Sequence, residues 1–256
     1  MSTNLSQPHI IRLLQGTSSN SILAAQAARL SHGTVISLVE QTAGRGQRGN
    51  SWEAAPGQNV TMSMLLRPRN VRPNEQFMLS EMISLAIVEY LRLVLADTPY
   101  ASQVAIKWPN DIYVANSKIC GILIEHSLTS SGISHTIAGI GLNINQTEFV
   151  SPAPNPVSLA QLTGATYNIE QVESMLAKLI FDAVGHYDDP ALFAELHAAY
   201  ISCLWRRQGI HPYMEPQSGR LFSAAITGVL PTGHLQLTDT EGRTFTYAFK
   251  EVAAIL

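Results

Sequence analysis

The sequence predicts an α+β protein whose sheet is mostly antiparallel, covered by helices and followed by a small all-β unit. Three observations carry this prediction. Strand-like segments are joined by tight turns at Ala115-Asn116-Ser117 and Ser130-Ser131-Gly132, too short for the crossover that parallel neighbours need. Stretches from about Asn74 to Ala96, Ile169 to Tyr187 and Ala191 to Arg206 carry apolar residues at helical spacing. From Gln208 onward short strand-like runs alternate with turns at Gln217-Ser218-Gly219, Pro231-Thr232-Gly233 and Asp239 to Gly242, the texture of a small β-barrel.

Taken in order, Ser18, Ser19 and Asn20 are cap-forming residues ahead of an alanine-rich stretch to Leu30, the start signal of a helix. Thr34 to Gln41 follows as a strand. Gly44 to Gly49 opens a loop that passes Trp52 and a Pro56-Gly57 turn, and Val60 to Arg67 then alternates as a half-buried strand does. Beyond the helix opened by Asn74, strands are expected at about 104–107, 112–114, 118–128 and 133–144. Ser151 to Pro156 holds three prolines and reads as a loop. A boundary near Gly209 divides residues 1–208 from a smaller unit at 209–256.

The 256 residues are 46% hydrophobic, enough for one large unit and one small one. Sixteen Lys plus Arg against nineteen Asp plus Glu leave a formal charge of −3, which argues against a protein built to coat nucleic acid. Met1 to Pro8 has no charged-then-apolar signal pattern, and Glu81, Glu89 and Arg92 break the most apolar helix, so a cytoplasmic protein without a membrane span is expected. Cys120 and Cys203 are isolated and read as structural thiols, and the eight histidines show no metal-ligand spacing.

Chemistry concentrates in four segments. Gly44-Arg45-Gly46-Gln47-Arg48-Gly49 matches GxGxxG after a strand. The dinucleotide fingerprint, however, needs a helix opening at the glycines and an acidic residue about twenty positions on, whereas this loop runs into another strand. Its glycines and two guanidiniums suit a segment that closes over a phosphate or carboxylate; a solvated hairpin loop is the alternative. Lys107-Trp108-Pro109-Asn110-Asp111 packs a cation, an aromatic ring, a rigid turn and two oxygen-bearing side chains at a strand end. Asp111 suits a magnesium ion and Lys107 a phosphate, or the two form one salt bridge in a structural turn. Lys118 stands before Gly121-Ile122-Leu123, either as a site cation beside a glycine or as a lysine guarding a sheet edge. Gly139 to Asn145 sets strand glycines beside two amides, Asn143 and Asn145, which fits close approach of a ligand and equally a bulged strand.

Together, and in this order, Glu40-Gln41-Thr42-Ala43-Gly44-Arg45-Gly46 with Arg48-Gly49, Lys107 to Asp111, Lys118 with Gly121-Ile122-Leu123, and Gly139 to Asn143 resemble the biotin–protein ligases. The resemblance runs from Thr17 to about Asn145 and continues more weakly through the last unit. It implies a mixed, mostly antiparallel sheet with covering helices and a C-terminal SH3-like barrel. It also implies a ligase that converts biotin and ATP to biotinyl-5′-adenylate, with Mg2+, and passes the biotin to a lysine of a biotin carboxyl carrier domain. By the resemblance Lys118 bridges biotin's carboxylate and the α-phosphate, with Arg45, Arg48 and Asp111 as further catalytic groups. Ser18, Ser19, Gln41, Gly44 and Arg45 meet biotin's polar atoms, and Trp52, Gly121 and Leu123 line the pocket for its rings. Arg48, Lys107, Asn110 and Asn143 would contact ATP or the adenylate, with Asp111 near the metal.

Gln47 stands where many members carry another arginine, so one guanidinium fewer is available to the adenylate. The 16 residues before Thr17 leave no room for the winged helix-turn-helix of the bifunctional members, so no DNA binding is expected. The resemblance leaves room for a homodimer paired through sheet edges. Lipoate–protein ligases share the acyl-adenylate logic and are the nearest rival enzyme; a binding module that holds biotin or a nucleotide without catalysis is the rival of another class.

Overall fold

The computed structural model describes residues 7–68, 71–130, 132–151, 155–185 and 190–255, with the side chains of residues 48, 190 and 191 left out. Ser131 of the second predicted turn, residues 152–154 of the proline loop and the last two residues of the Ile169 to Tyr187 helix lie outside the described residues.

Seven strands form one sheet: β1 (His9–Gly16), β2 (Thr34–Gln41), β3 (Asn59–Leu66), β4 (Val104–Lys107), β5 (Asp111–Val114), β6 (Ser117–Thr129) and β7 (Gly132–Asn143), in the order β1-β2-β3-β7-β6-β5-β4. All neighbours are antiparallel except β1 and β2, which run parallel around α1 (Ser19–Gln26). The sheet is therefore mixed and mostly antiparallel. β1 is an element that sequence patterning does not supply: its pattern of half-buried and exposed residues lacks a clean period of two.

The central strand explains the layering. Along β3, Val60, Met62, Met64 and Leu66 enter a large core shared with α2 (Phe77–Val94) and α4 (Ile169–Val184), while Leu65 enters a smaller core with Leu23 of α1 and Leu38. Successive strand residues point to opposite faces, so every residue of β3 is buried. Within α2, Leu79, Ile83, Ile87 and Leu91 recur every four residues and are fully buried, the stripe that holds the helix on the sheet. Asn168 caps α4 by accepting from the Gln171 amide at 3.1 Å. Two short elements complete this unit, α3 (Leu159–Thr163), too brief to show a period, and α5 (Pro190–Ser202), which ends four residues before the predicted limit at Arg206.

The C-terminal strands β8 (His211–Met214), β9 (Leu221–Val229), β10 (Leu235–Asp239), β11 (Thr244–Tyr247) and β12 (Ala253–Ala254) pair antiparallel in the order β11-β10-β9-β8-β12, an open sheet with β11 and β12 outermost. This sheet leans on the larger unit where the Trp108 indole N–H donates to the Gly233 carbonyl at 2.9 Å and Trp108 meets Phe249 edge-on. No helix among the described residues is long and apolar enough to cross a membrane.

One half-buried histidine sets a pH dependence. His126 on β6 is hydrogen-bonded to Thr136 at 2.9 Å, and burial holds its imidazole below the ordinary value. As pH falls through about 6.5, the unfolded chain takes up a proton that the folded chain refuses, so stability drops on acidification. His126→Gln is expected to flatten the slope of urea midpoints between pH 7.5 and 5.5; an unchanged slope would reject this.

Candidate active site

A cavity of about 560 Å3 opens on the α1 face of the sheet, over β3, β7 and β6, beneath the glycine-rich loop. Its floor explains the strand glycines. Gly121 and Gly141 are paired across β6 and β7, and the Trp52 indole lies on both; a Cβ at Gly141 would stand 2.3 Å from Trp52 Cε2, and one at Gly121 2.8 Å from Cζ3. Two pairs further along, on the same face, Gly139 faces Asn20, where a Cβ would stand 2.0 Å from Oδ1. Contacts that close exclude any side chain unless the neighbour moves. The groups that approach these glycines are thus side chains of the chain itself.

At one end of the floor polar groups converge. Gln41 Oε1 accepts from the Ser19 backbone N–H at 2.9 Å, and Ser63 Oγ stands 2.7 Å from Ser19 Oγ and 2.5 Å from Asn20 Oδ1. The Asn20 amide donates to the Leu123 carbonyl at 3.3 Å and to Glu125 Oε2 at 2.8 Å. Glu125 in turn holds Arg45 through both carboxylate oxygens, at 2.6 and 3.2 Å. Burial works to raise the Glu125 pKa, but the hydrogen bonds from Asn20 and Arg45 and the guanidinium charge outweigh it and leave the carboxyl below its usual range.

At the other end, Lys118 Nζ is 2.8 Å from Asp111 Oδ2, with both side chains about a quarter to a third exposed. Lys107, paired in register with Asp111, donates to the Tyr113 hydroxyl at 3.0 Å and lies over the Tyr113 ring. Burial depresses the Lys107 pKa; Asp111 opposes this, and Lys118 and Arg206 add to it. Asn110 donates to the Ile122 carbonyl at 3.1 Å and accepts from Gln47 at 3.2 Å, which ties the loop to the turn. The Asn143 amide donates to the Val157 carbonyl at 3.0 Å, while its Oδ1 and the Trp52 indole nitrogen are buried without a protein partner. Buried polar atoms of this kind are ready to receive ligand groups.

Of the residues singled out from sequence, Ser18, Ser19, Gln41, Arg45, Trp52, Lys107, Asn110, Asp111, Lys118, Gly121, Leu123 and Asn143 all line the cavity. Gly44 adjoins it without lining it: its carbonyl accepts from the Trp52 N–H at 3.0 Å, and a Cβ there would strike the Trp52 carbonyl at 2.3 Å. The Arg48 side chain lies outside the described residues. Sequence reasoning missed Asn20, Ser63, Glu125 and Phe249. The Asn20 role had a signal, its place in the polar Ser18-Ser19-Asn20 run, where Asn20 itself reads as a cap-forming residue; its side chain instead points across to β6.

Comparison with known proteins shows the family and the fold. The biotin/lipoate A/B protein ligase family matches residues 15–145. A biotin–[acetyl-CoA-carboxylase] ligase of Paracoccus denitrificans is 33% identical over 169 residues, covering 64% of this chain and 68% of the relative. The bifunctional ligase/repressor BirA of Escherichia coli is 33% identical over 127 residues, half of this chain but 38% of that protein's length. Among solved structures, a biotin protein ligase from Aquifex aeolicus in complex with biotin and ATP superposes with a TM-score of 0.73 at 22% identity, over 96% of this chain and 98% of the other, a shared fold.

Proposed function

The chain belongs to the biotin/lipoate A/B protein ligase family, and from that premise we propose that it activates biotin with ATP and transfers it to a lysine of a biotin carboxyl carrier domain. One observation carries the reading: the order of groups along β6. Polar atoms at Asn20, Ser19, Gln41 and Ser63 lie beside Leu123 and Glu125, the Trp52-covered glycine floor follows at Gly121, and the Lys118–Asp111 pair lies beyond. Biotin has the same order, a hydrogen-bonding ureido ring, an apolar ring edge and chain, and a terminal carboxylate. A dithiolane would leave the polar end unsatisfied, at a cost of about 1–3 kcal/mol per buried group, which favours biotin over lipoate.

In this reading the biotin carboxylate attacks the α-phosphorus of ATP, and the acceptor lysine then attacks the acyl carbon of the mixed anhydride and releases AMP. Lys118 offsets the repulsion between two anions brought together, with Lys107 beside it. Asp111 fits a magnesium ion held mainly by phosphate oxygens, since such ions need only one or two carboxylates from a protein; bound there, the ion would neutralise phosphate charge. Asn110 and Asn143 offer amides to the nucleotide. The loop from Gly44 to Gly49 closes over the adenylate, with Arg45 drawn from Glu125 to the substrate anion and Arg48 contributing from the same loop. We extend the reading to a catalytic unit at 1–208, an SH3-like unit at 209–256 and a cytoplasmic setting.

Biotin-dependent exchange of labelled pyrophosphate into ATP, run beside lipoate, tests the proposal. Exchange with biotin and not lipoate is expected. Exchange with lipoate alone would make this a lipoate ligase, and biotin binding without exchange would make it a binding module. Arg45→Gly removes the guanidinium that the closed loop brings to the substrate anion and is expected to raise the rate of adenylate escape about tenfold, the effect of losing one charged hydrogen-bond pair at a lid. Unchanged release of radiolabelled adenylate in rapid gel filtration would reject that role.

A further inference from the structure

The turn that carries Asn110 and Asp111 is gripped from outside the cavity. Tyr200 on α5, fully buried, donates its hydroxyl to the Pro109 carbonyl at 2.6 Å, 91 residues away in sequence. Its ring meets Phe77 edge-on at 5.5 Å. One helical turn earlier, His197 lies 2.7 Å from Glu81 of α2, a second tie that fixes how α5 is rotated. Pro109 offers no N–H, and its carbonyl belongs to the peptide that leads into Asn110. Rotation of that peptide would carry off Asn110, which bonds Ile122 and Gln47, and Asp111, which pairs with Lys118. Tyr200 itself does not line the cavity.

We propose that Tyr200 is a positioning residue for the activation step: its hydroxyl fixes the Pro109–Asn110 peptide so that Asn110 and Asp111 meet the nucleotide in one geometry. The inference rests on the activation reading above. Burial, and to a smaller degree Glu81, pushes the phenol well above its ordinary pKa, so the hydroxyl stays a donor at every working pH. Tyr200→Phe leaves the carbonyl buried without a donor, and the turn shifts to find one. A misplacement on the order of 1 Å costs up to about a hundredfold in rate.

Tyr200→Phe is expected to lower kcat for biotin-dependent pyrophosphate exchange about tenfold, with biotin affinity by calorimetry kept within about threefold. Exchange of the Asn110 side-chain amide protons, followed by NMR without substrates, is expected to accelerate about tenfold; this readout stands whether or not the protein activates biotin. Para-aminophenylalanine at position 200 restores an N–H to the carbonyl and is expected to recover both. If the phenylalanine variant does not fold, para-fluorophenylalanine supplies the same volume without a donor. Wild-type kcat and amide exchange in the variant would overturn the proposal. So would parallel loss of kcat, biotin affinity and melting temperature, or failure of the amino side chain to rescue. A wild-type protein without biotin-dependent exchange would instead remove the activation reading and leave the amide-exchange result to judge the grip on the turn.

Discussion

Lys118→Ala is expected to cut biotin-dependent pyrophosphate exchange at least about a hundredfold, because a fixed charge at a reacting anion is worth roughly 3 kcal/mol. The geometry sharpens that expectation. Lys118 and Asp111 form a pair at 2.8 Å on the floor of the cavity, and removing the ammonium leaves an unpaired carboxylate beside the incoming triphosphate. Lys107 does not take its place beside Asp111: its ammonium donates to the Tyr113 hydroxyl at 3.0 Å. Lys118→Arg keeps the charge but changes its shape, and partial recovery is expected. Exchange near the wild-type rate in Lys118→Ala would remove Lys118 from the chemistry.

Gly139→Ala is expected to weaken biotin binding about a hundredfold and to destabilise the fold by roughly 1–3 kcal/mol, as overpacking does. The added methyl would stand 2.0 Å from Asn20 Oδ1. Asn20 has nowhere to retreat, since Ser63, the Leu123 carbonyl and Glu125 hold it from three directions. Its displacement disturbs the array with Ser19 and Gln41, and losing two hydrogen bonds of about 1.5 kcal/mol each corresponds to the stated affinity change. Isothermal calorimetry with biotin and urea titration measure the two effects. Native affinity with native stability would mean that the Asn20 array does not hold the ligand.

Much of this was legible from sequence where the signal was local. The glycines at 121, 139 and 141, Lys107, Asn110 and Asp111 of the turn, and Lys118 all fall on the cavity. What could not be read depends on residues far apart. Ser63 is one more polar position in an alternating strand until β3 is placed beside α1, and Glu125 ends an apolar run whose partner Arg45 is 80 residues away. β1 stayed hidden because an edge strand with half-exposed faces lacks the alternation that marks a strand. The parallel pairing of β1 with β2 follows from α1 serving as the crossover between them, a connection that the tight turns elsewhere in the sheet do not provide.

The cavity walls are drawn from Ser18 near one end of the chain to Phe249 near the other. Nothing short of the docked whole presents this surface, so occupancy and global unfolding are thermodynamically linked. A ligand that binds only the completed cavity raises the unfolding free energy by about 2.7 kcal/mol at a hundred times its Kd. Shifts in thermal midpoint can therefore rank candidate ligands before any acceptor protein is in hand.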